Sequence, residues 1–256
     1  MVILSMEQYK IRLKGQIIEN YKIKEIIWQG GTSTIYKGIP QDLNSQNPVA
    51  IKILNPYRNL KHQIDAFKKE YKILKNLYHP NIIKVFKLGK LNNLYYMIME
   101  YVDGNNLRTI LNKNIEISYP TILKIMIRIG QTIDYIHSKK IVHNDIKPEN
   151  ILISKDSLNL KLIDFGFAKK LGFFKKLNYT GGTDKYIAPE RKKGICNFKS
   201  DIYSYGIMIE ELLSKYEIFK EFYPVINLAK SEQPEKRPSL KEIIEKLEKL
   251  YENWDN

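Results

Sequence analysis

The chain has 256 residues, 43% apolar and 27% charged, enough to bury a sizeable core and too many for a bare peptide-binding module. Its formal charge is +14, yet only six of its 42 basic residues are Arg; base reading leans on arginine forks, and lysines scattered along the whole chain describe a solvated basic surface rather than a nucleic-acid stripe. The single cysteine, Cys196, excludes an internal disulfide, and no stretch approaches the ~18 uncharged apolar residues of a membrane span, so a cytoplasmic protein is expected.

From Tyr21 to about Glu100 the chain reads as short β-rich runs interrupted by one helix. Tyr21 to Ile27 alternates in part, and Pro48 to Leu54 and Leu94 to Met99 are short apolar runs. Between them, Ile64, Phe67, Glu70, Tyr71, Leu74 and Leu77 recur at helical spacing, which predicts a helix over Gln63 to Leu77. After Asp103-Gly104-Asn105-Asn106 longer amphipathic patterns take over, at Ser118 to Ser138, Ser200 to Ser214 and Ser239 to Tyr251. Ser118 opens the first with Pro120 just inside, and Ser239 with Glu242 forms a capping box for the last. Strands first and helices later predict an α+β protein of two lobes, with a hinge near Glu100 to Gly104 and a ligand site in a cleft.

Four segments and one helix residue carry chemistry. Small residues in Gly30-Gly31-Thr32-Ser33 let backbone N–H groups approach a phosphate, although a ligand-free Gly-Gly hairpin has the same pattern. Lys52 ends the run Val49-Ala50-Ile51-Lys52 and either snorkels to solvent or is held by an anion; Glu70, on the apolar stripe of the predicted helix, is a carboxylate that needs a cation. The most specific segments are His143-Asn144-Asp145-Ile146-Lys147-Pro148-Glu149-Asn150 and Leu162-Ile163-Asp164-Phe165-Gly166. Their Asp and Asn side chains are oxygen ligands suited to Mg²⁺, and Lys147 is a cation suited to phosphate.

Together with Val49 to Lys52, Ala188-Pro189-Glu190, Asp201 to Gly206 and Arg237, these segments resemble the signature set of the eukaryotic-type (Hanks-type) serine/threonine protein kinases. The match runs from Tyr21 to about Leu250, and the Gly30 to Ser33 loop is most similar to the bacterial-type branch. The resemblance implies a bilobal α+β kinase fold with a small β-rich lobe over residues 21–101, a larger, shortened helical lobe over 102–256, and an N-terminal extension over 1–20. It implies ATP as co-substrate, Mg²⁺ or Mn²⁺ as cofactor, and Ser/Thr hydroxyls of proteins as acceptors.

The same resemblance assigns roles. Lys52 holds the α and β phosphates and pairs with Glu70; Asn150 and Asp164 hold the metal; Asp145 accepts the substrate proton, and Lys147 steadies the γ-phosphate. Gly30, Gly31 and Ser33 form the phosphate loop. Ile27, Ile35, Ala50, Leu152 and Ile163 wall the base, Met99 lies behind it, and the backbone of Glu100 and Val102 meets its edge. Leu74, Val85, His143 and Phe165 resemble the side-chain stack of active kinases, and Glu190 with Arg237 the ion pair anchoring the activation segment.

Three departures and one open question follow. Trp28 stands at the first glycine of the loop, where an indole could cover the base. Asn144 replaces the Arg that normally pairs with a phosphorylated activation-segment residue, so activity is expected not to depend on phosphorylation at Tyr179 or Thr180. Only 22 residues separate Ser214 from Arg237, room for one helix of about three turns over Ile218 to Lys230. Glu149 and Glu211 match positions that meet a substrate arginine in basic-directed kinases, whereas the activation-segment lysines favour acidic partners; substrate charge stays open. An ATP-binding pseudokinase scaffold is the alternative, and a small-molecule kinase a weaker third.

Overall fold

Alternation along Val49–Leu54 is the best entry to the fold, because that strand is buried throughout and its two faces do different things. The structure, a computed structural model, describes residues 13–42, 47–55, 61–91, 93–113, 115–155, 159–172, 184–214, 216 and 219–255. The chain separates into two compact units. One runs to Tyr78 and resumes from Ile83 to Asp103; the other comprises His79–Ile82 and the chain from Gly104 onward.

The first unit is an antiparallel sheet with one helix. Its strands are β1 (Ile17–Ile18), β2 (Tyr21–Gln29), β3 (Ser33–Pro40), β4 (Val49–Leu54), β5 (Val85–Leu91) and β6 (Leu94–Glu100), in the order β1-β2-β3-β4-β6-β5. Val49, Ile51 and Ile53 point into a core with Ile23, Tyr36, Tyr96 and Ile98, which Leu13 and Ile18 also enter. Cross-strand partners share a face. Lys52 lies opposite Ile35 and Met97, and Ala50 opposite Met99, so the other face carries the residues assigned to the nucleotide.

Helix α1 spans Lys61–Leu74 rather than Gln63 to Leu77. Asn76 caps the Lys72 carbonyl through its side-chain amide at 2.6 Å, and Leu77 is buried from the turn that follows. Leu77 therefore kept the helical spacing without belonging to the helix.

The second unit is built on α3 (Tyr119–Ser138), which buries Ile122, Met126, Ile129, Ile133 and Ile136 along one stripe. Around it lie α2 (Leu107–Asn112), α4 (Pro189–Lys192), α5 (Phe198–Leu213), α6 (Phe219–Ala229) and α7 (Leu240–Asp255). A Cβ at Gly130 of α3 would fall 2.9 Å from both Ile244 and the Tyr205 hydroxyl, so close packing requires glycine there. The Tyr205 hydroxyl donates to the Met126 carbonyl at 2.7 Å. Short strands complete the unit: β7 (Gly104–Asn106), β9 (Ile151–Ser154) and β10 (Leu160–Leu162) form one sheet, and β8 (Ile141–Val142) pairs with β11 (Lys169–Lys170).

Two helix starts compare with expectation. The capping box holds: the Ser239 amide and hydroxyl donate to the Glu242 carboxylate at 2.6 and 2.7 Å, and the Glu242 amide returns a bond to the Ser239 hydroxyl. Helix α5, expected from Ser200, begins at Phe198, because the Asn197 side chain caps the Ser200 amide at 3.1 Å. Helix α6, 11 residues over Phe219–Ala229, falls within the span Ile218 to Lys230 where a helix of about three turns is expected. Among the described residues no helix is long and apolar enough to cross a membrane.

Candidate active site

The glycines make a hairpin turn between β2 and β3. Gly30 donates its amide to the Ser33 carbonyl at 2.9 Å, and Gln29 faces Thr34. Asn55, which sequence reading passed over, clamps this turn: its side-chain amide donates to the Gly30 and Gly31 carbonyls at 3.1 and 3.2 Å, and its oxygen accepts from the Thr34 hydroxyl at 3.0 Å. In the sequence its one mark is a polar residue at the very end of an apolar run; that it is buried, and so needs partners, emerges only in the fold. Trp28 lies across Gly30, and a Cβ on Gly30 would fall 2.0 Å from the indole. A side chain at position 30 would therefore require the half-exposed indole to swing away. Gly31 is exposed with open space at its α-carbon, Ser33 is buried, and Ile27 sits exposed where β2 is bulged between Ile26 and Trp28.

Lys52 and Glu70 form a forked ion pair at 2.7 and 2.8 Å, with side chains 10% and 4% exposed. Either charge alone would be costly at that depth, so β4 and α1 are tied by mutual need. Ala50 and Met99 are buried on the same sheet face; Ile35, Glu100 and Val102 are half-buried. The Glu100 amide is committed to the Lys84 carbonyl at 2.9 Å.

In the second unit the loop from His143 to Asn150 hangs on one carboxylate of α5. Asp201, fully buried, accepts from the His143 and Asn144 amides at 2.8 Å each, and His137 Nε2 lies 2.9 Å from it. Burial pushes the Asp201 carboxyl up, but bonds from His137 and the His143 amide outweigh this and hold it below its usual range. His143 is driven toward neutrality by burial and meets Phe165 edge-on, ring centroids 4.6 Å apart. Leu74 and Val85, the other two members of the expected stack, lie in the first unit.

The anchored loop presents three side chains together. Asn150 Nδ2 donates to the Asp145 carbonyl and to Asp145 Oδ2, both at 2.8 Å, and Lys147 Nζ lies 2.9 Å from the same Oδ2. Because the Asn150 nitrogen is spent on Asp145, its oxygen is the atom left to serve a cation, and with the Asp164 carboxylate this makes a hard-oxygen donor set that fits Mg²⁺ or Mn²⁺. Ile163 joins the two motifs, its amide donating to the Asn150 carbonyl at 2.9 Å; Ile163 and Leu152 are half-buried. Asn144 (φ 67°) and Asp164 (φ 60°) both adopt the left-handed backbone that Asn and Asp tolerate best.

Asn144 makes its own contacts where an Arg was expected. Its amide donates to the Phe167 carbonyl at 3.1 Å, and its oxygen accepts from the Cys196 thiol at 3.1 Å. Tyr179 and Thr180 lie outside the described residues. Further along, Arg237 grips Glu190 with two bonds of 2.7 and 2.8 Å, and Ser200 adds a third at 2.8 Å. Glu149 and Glu211 converge on one guanidinium, that of Arg108 in α2, a residue sequence reading did not single out.

Comparison with known proteins agrees with this geometry. A family model described as the protein kinase domain matches residues 21–253. The serine/threonine-protein kinase PrkC of Bacillus subtilis is 37% identical over 203 residues, covering 78% of this chain and 31% of that protein. A probable serine/threonine-protein kinase of Clostridium perfringens is 32% identical over 216 residues, 82% of this chain and 31% of its own. Calcium-dependent protein kinase 5 of Plasmodium berghei is 39% identical over 172 residues, 66% of this chain and 30% of its own. The chain thus spans about a third of the length of these relatives. With its α+β organisation, a β-rich unit followed by a helical one, the chain belongs to the protein kinase family, on the Hanks-type serine/threonine side that includes bacterial members.

Proposed function

We propose that the chain is an ATP-dependent protein-serine/threonine kinase, with residues 21–101 and 102–256 as the two lobes of one catalytic domain and residues 1–20 as an extension. The observation that carries this reading is the loop in which Asn150 and Lys147 both engage Asp145 Oδ2, since phosphoryl transfer is mostly positioning and electrostatics. With Oδ2 held, Asp145 Oδ1 is the oxygen that orients the acceptor hydroxyl. The hydroxyl oxygen attacks the γ-phosphorus, the bond to the β–γ bridging oxygen breaks, ADP leaves, and Asp145 takes the proton. Lys147 balances charge on the moving phosphoryl group. Lys52, kept charged and aimed by Glu70, grips the α and β phosphates. Asn150 and Asp164 hold Mg²⁺ or Mn²⁺, which when bound neutralises charge on the phosphate oxygens.

Gly30, Gly31 and Ser33 cover the phosphates, while Ile27, Ile35, Ala50, Met99, Leu152 and Ile163, with the backbone of Glu100 and Val102, hold the base. The position of Trp28 on Gly30 leaves Gly31 as the open element of that turn. Activation-segment phosphate is dispensable in this reading. Asn144 supplies a neutral tie to Phe167, immediately after Asp164-Phe165-Gly166, where a phosphate-sensing arginine is absent.

The test is transfer from radiolabelled ATP to a generic Ser/Thr protein substrate, beside Asp145→Asn and Lys52→Met. Loss of about 10²-fold or more in both variants is expected, and equal incorporation in all three would remove the enzyme assignment. Metal-dependent thermal stabilisation by ATP without any transfer would assign an ATP-binding scaffold instead.

A further inference from the structure

Arg108 lies in the first turn of α2, and its guanidinium is used almost completely. Nε donates to Glu149 Oε1 at 2.9 Å, Nη1 to Glu211 Oε1 at 2.5 Å, and Nη2 to Glu211 Oε2 at 3.1 Å and to the Tyr186 hydroxyl at 2.5 Å. The Tyr186 hydroxyl donates in turn to Glu211, and Lys185 lies 3.1 Å from the same carboxylate. The contributing residues come from α2, the turn Pro148–Asn150, the turn Asp184–Tyr186 and α5. Two of these places adjoin the proposed chemistry: Glu149 directly precedes Asn150, which holds Asp145, and Tyr186 directly precedes Ile187-Ala188-Pro189.

Three properties distinguish this cluster from a passive surface pair. It is partly open, with the Arg108 and Glu211 side chains each 21% exposed and Glu149 36%. Its carboxylates are arranged for a planar, forked cation, the geometry that arginine satisfies and lysine does not. It also holds a spare acceptor: Glu149 Oε2 is buried without a hydrogen-bond partner among the described residues, so the acidic side of the cluster offers more than Arg108 takes up. Two positive groups, Arg108 and Lys185, face two negative ones, Glu149 and Glu211, and the patch is formally neutral.

We propose that Arg108 is the built-in occupant of a guanidinium subsite made by Glu149 and Glu211, and that it determines specificity by denying that subsite to an arginine of the acceptor protein. Two carboxylates beside the catalytic loop suggest selection of basic acceptors. With the cluster closed by the chain's own arginine, an incoming arginine finds compensated charges and gains nothing, and acceptor choice falls to other contacts. This rests on the kinase reading above, and concerns which acceptors the same site takes.

The experiment compares kcat/KM of the full chain and of Arg108→Ala on matched serine peptides. A single arginine is walked through the positions before the acceptor, and each peptide is measured against an alanine parent. The full chain should stay within about threefold of the parent at every position, whereas Arg108→Ala should prefer arginine about tenfold or more at one position, the effect of regaining a charge-assisted fork. Adding Glu149→Gln to Arg108→Ala should abolish the preference. Strong arginine preference in the unaltered chain overturns the proposal; so does an equal loss on all peptides in Arg108→Ala, which is what a purely structural ion pair gives. Arg108→Gln carries the same comparison should the alanine variant not fold.

A second arm does not need turnover. Agmatine at millimolar concentration should raise the melting temperature of Arg108→Ala and leave the unaltered chain where it is. A shift in that variant without phosphotransfer by any protein supports the subsite while failing the kinase reading. No shift, or the same shift in both proteins, overturns the subsite.

Discussion

Two arginine–glutamate forks in the second unit use the same chemistry in different surroundings. Arg237 is fully buried, its fork filled by Glu190, with the Ser231 and Lys199 carbonyls on two of the remaining donors. Arg108 is only half-buried and shares its fork between two carboxylates, and Glu149 Oε2 is left without a partner among the described residues. The sealed fork has no route for exchange and acts as a clamp between α4 and the turn before α7. The open one faces solvent and can be contested by another cation. Burial, rather than the identity of the pair, separates a fastening from a recognition element.

The widest gap between them should appear in stability. Glu190→Ala leaves a buried guanidinium without its partner and should cost about 3–5 kcal/mol, read as the midpoint of urea unfolding. A loss no greater than that of Arg108→Ala would erase the contrast. Arg108→Ala should cost about 1–2 kcal/mol, less than the sealed fork because solvent already screens it.

Acid sharpens the comparison. Burial pushes the Glu211 carboxyl up, but bonds from Arg108, Tyr186 and Lys185 override it and hold its pKa at about 2. An unfolded Glu titrates at about 4.3. The sign follows: the native state is favoured by this depressed pKa at all pH above the unfolded value, and that benefit is lost as pH falls from about 4.3 toward 2. Glu211→Gln should therefore melt lower at neutral pH yet flatten the melting curve between pH 4 and 2. Parallel curves for both proteins would place the acid sensitivity elsewhere. Smallest of all is the exposed pair Lys241–Glu245, 3.7 Å apart with side chains 83% and 53% exposed. Lys241→Ala should move stability by less than about 0.5 kcal/mol, and a larger loss would mean that burial does not rank these pairs.

What could be read in advance depended on how far along the chain a residue's partner lies. The apolar run that forms β4, the capping box of α7 and the helix of about three turns before Arg237 are local patterns and stood where expected. Boundaries shifted where two residues competed for one role, as Asn197 and Ser200 did at the start of α5. Lys52 and Glu70 were placed together by family resemblance, since neither residue announces its partner by spacing. Arg108 was invisible because its partners lie 41, 78 and 103 residues away. Asn55 was missed for a related reason: only the folded hairpin brings Gly30 and Gly31 against it. The side group at Trp28 was expected to be able to cover the base, and the fold adds what spacing does not show, that its ring lies against Gly30 of its own hairpin.

The suspension of the His143–Asn150 loop from Asp201 carries a consequence for exchange of backbone protons with solvent. The His143 and Asn144 amides are bonded inward to the fully buried carboxylate of Asp201 in the first turn of α5, which His137 also contacts. Both should exchange for deuterium as slowly as the α5 interior, through the global opening of that unit, so the loop that aligns the chemistry is as durable as the fold beneath it.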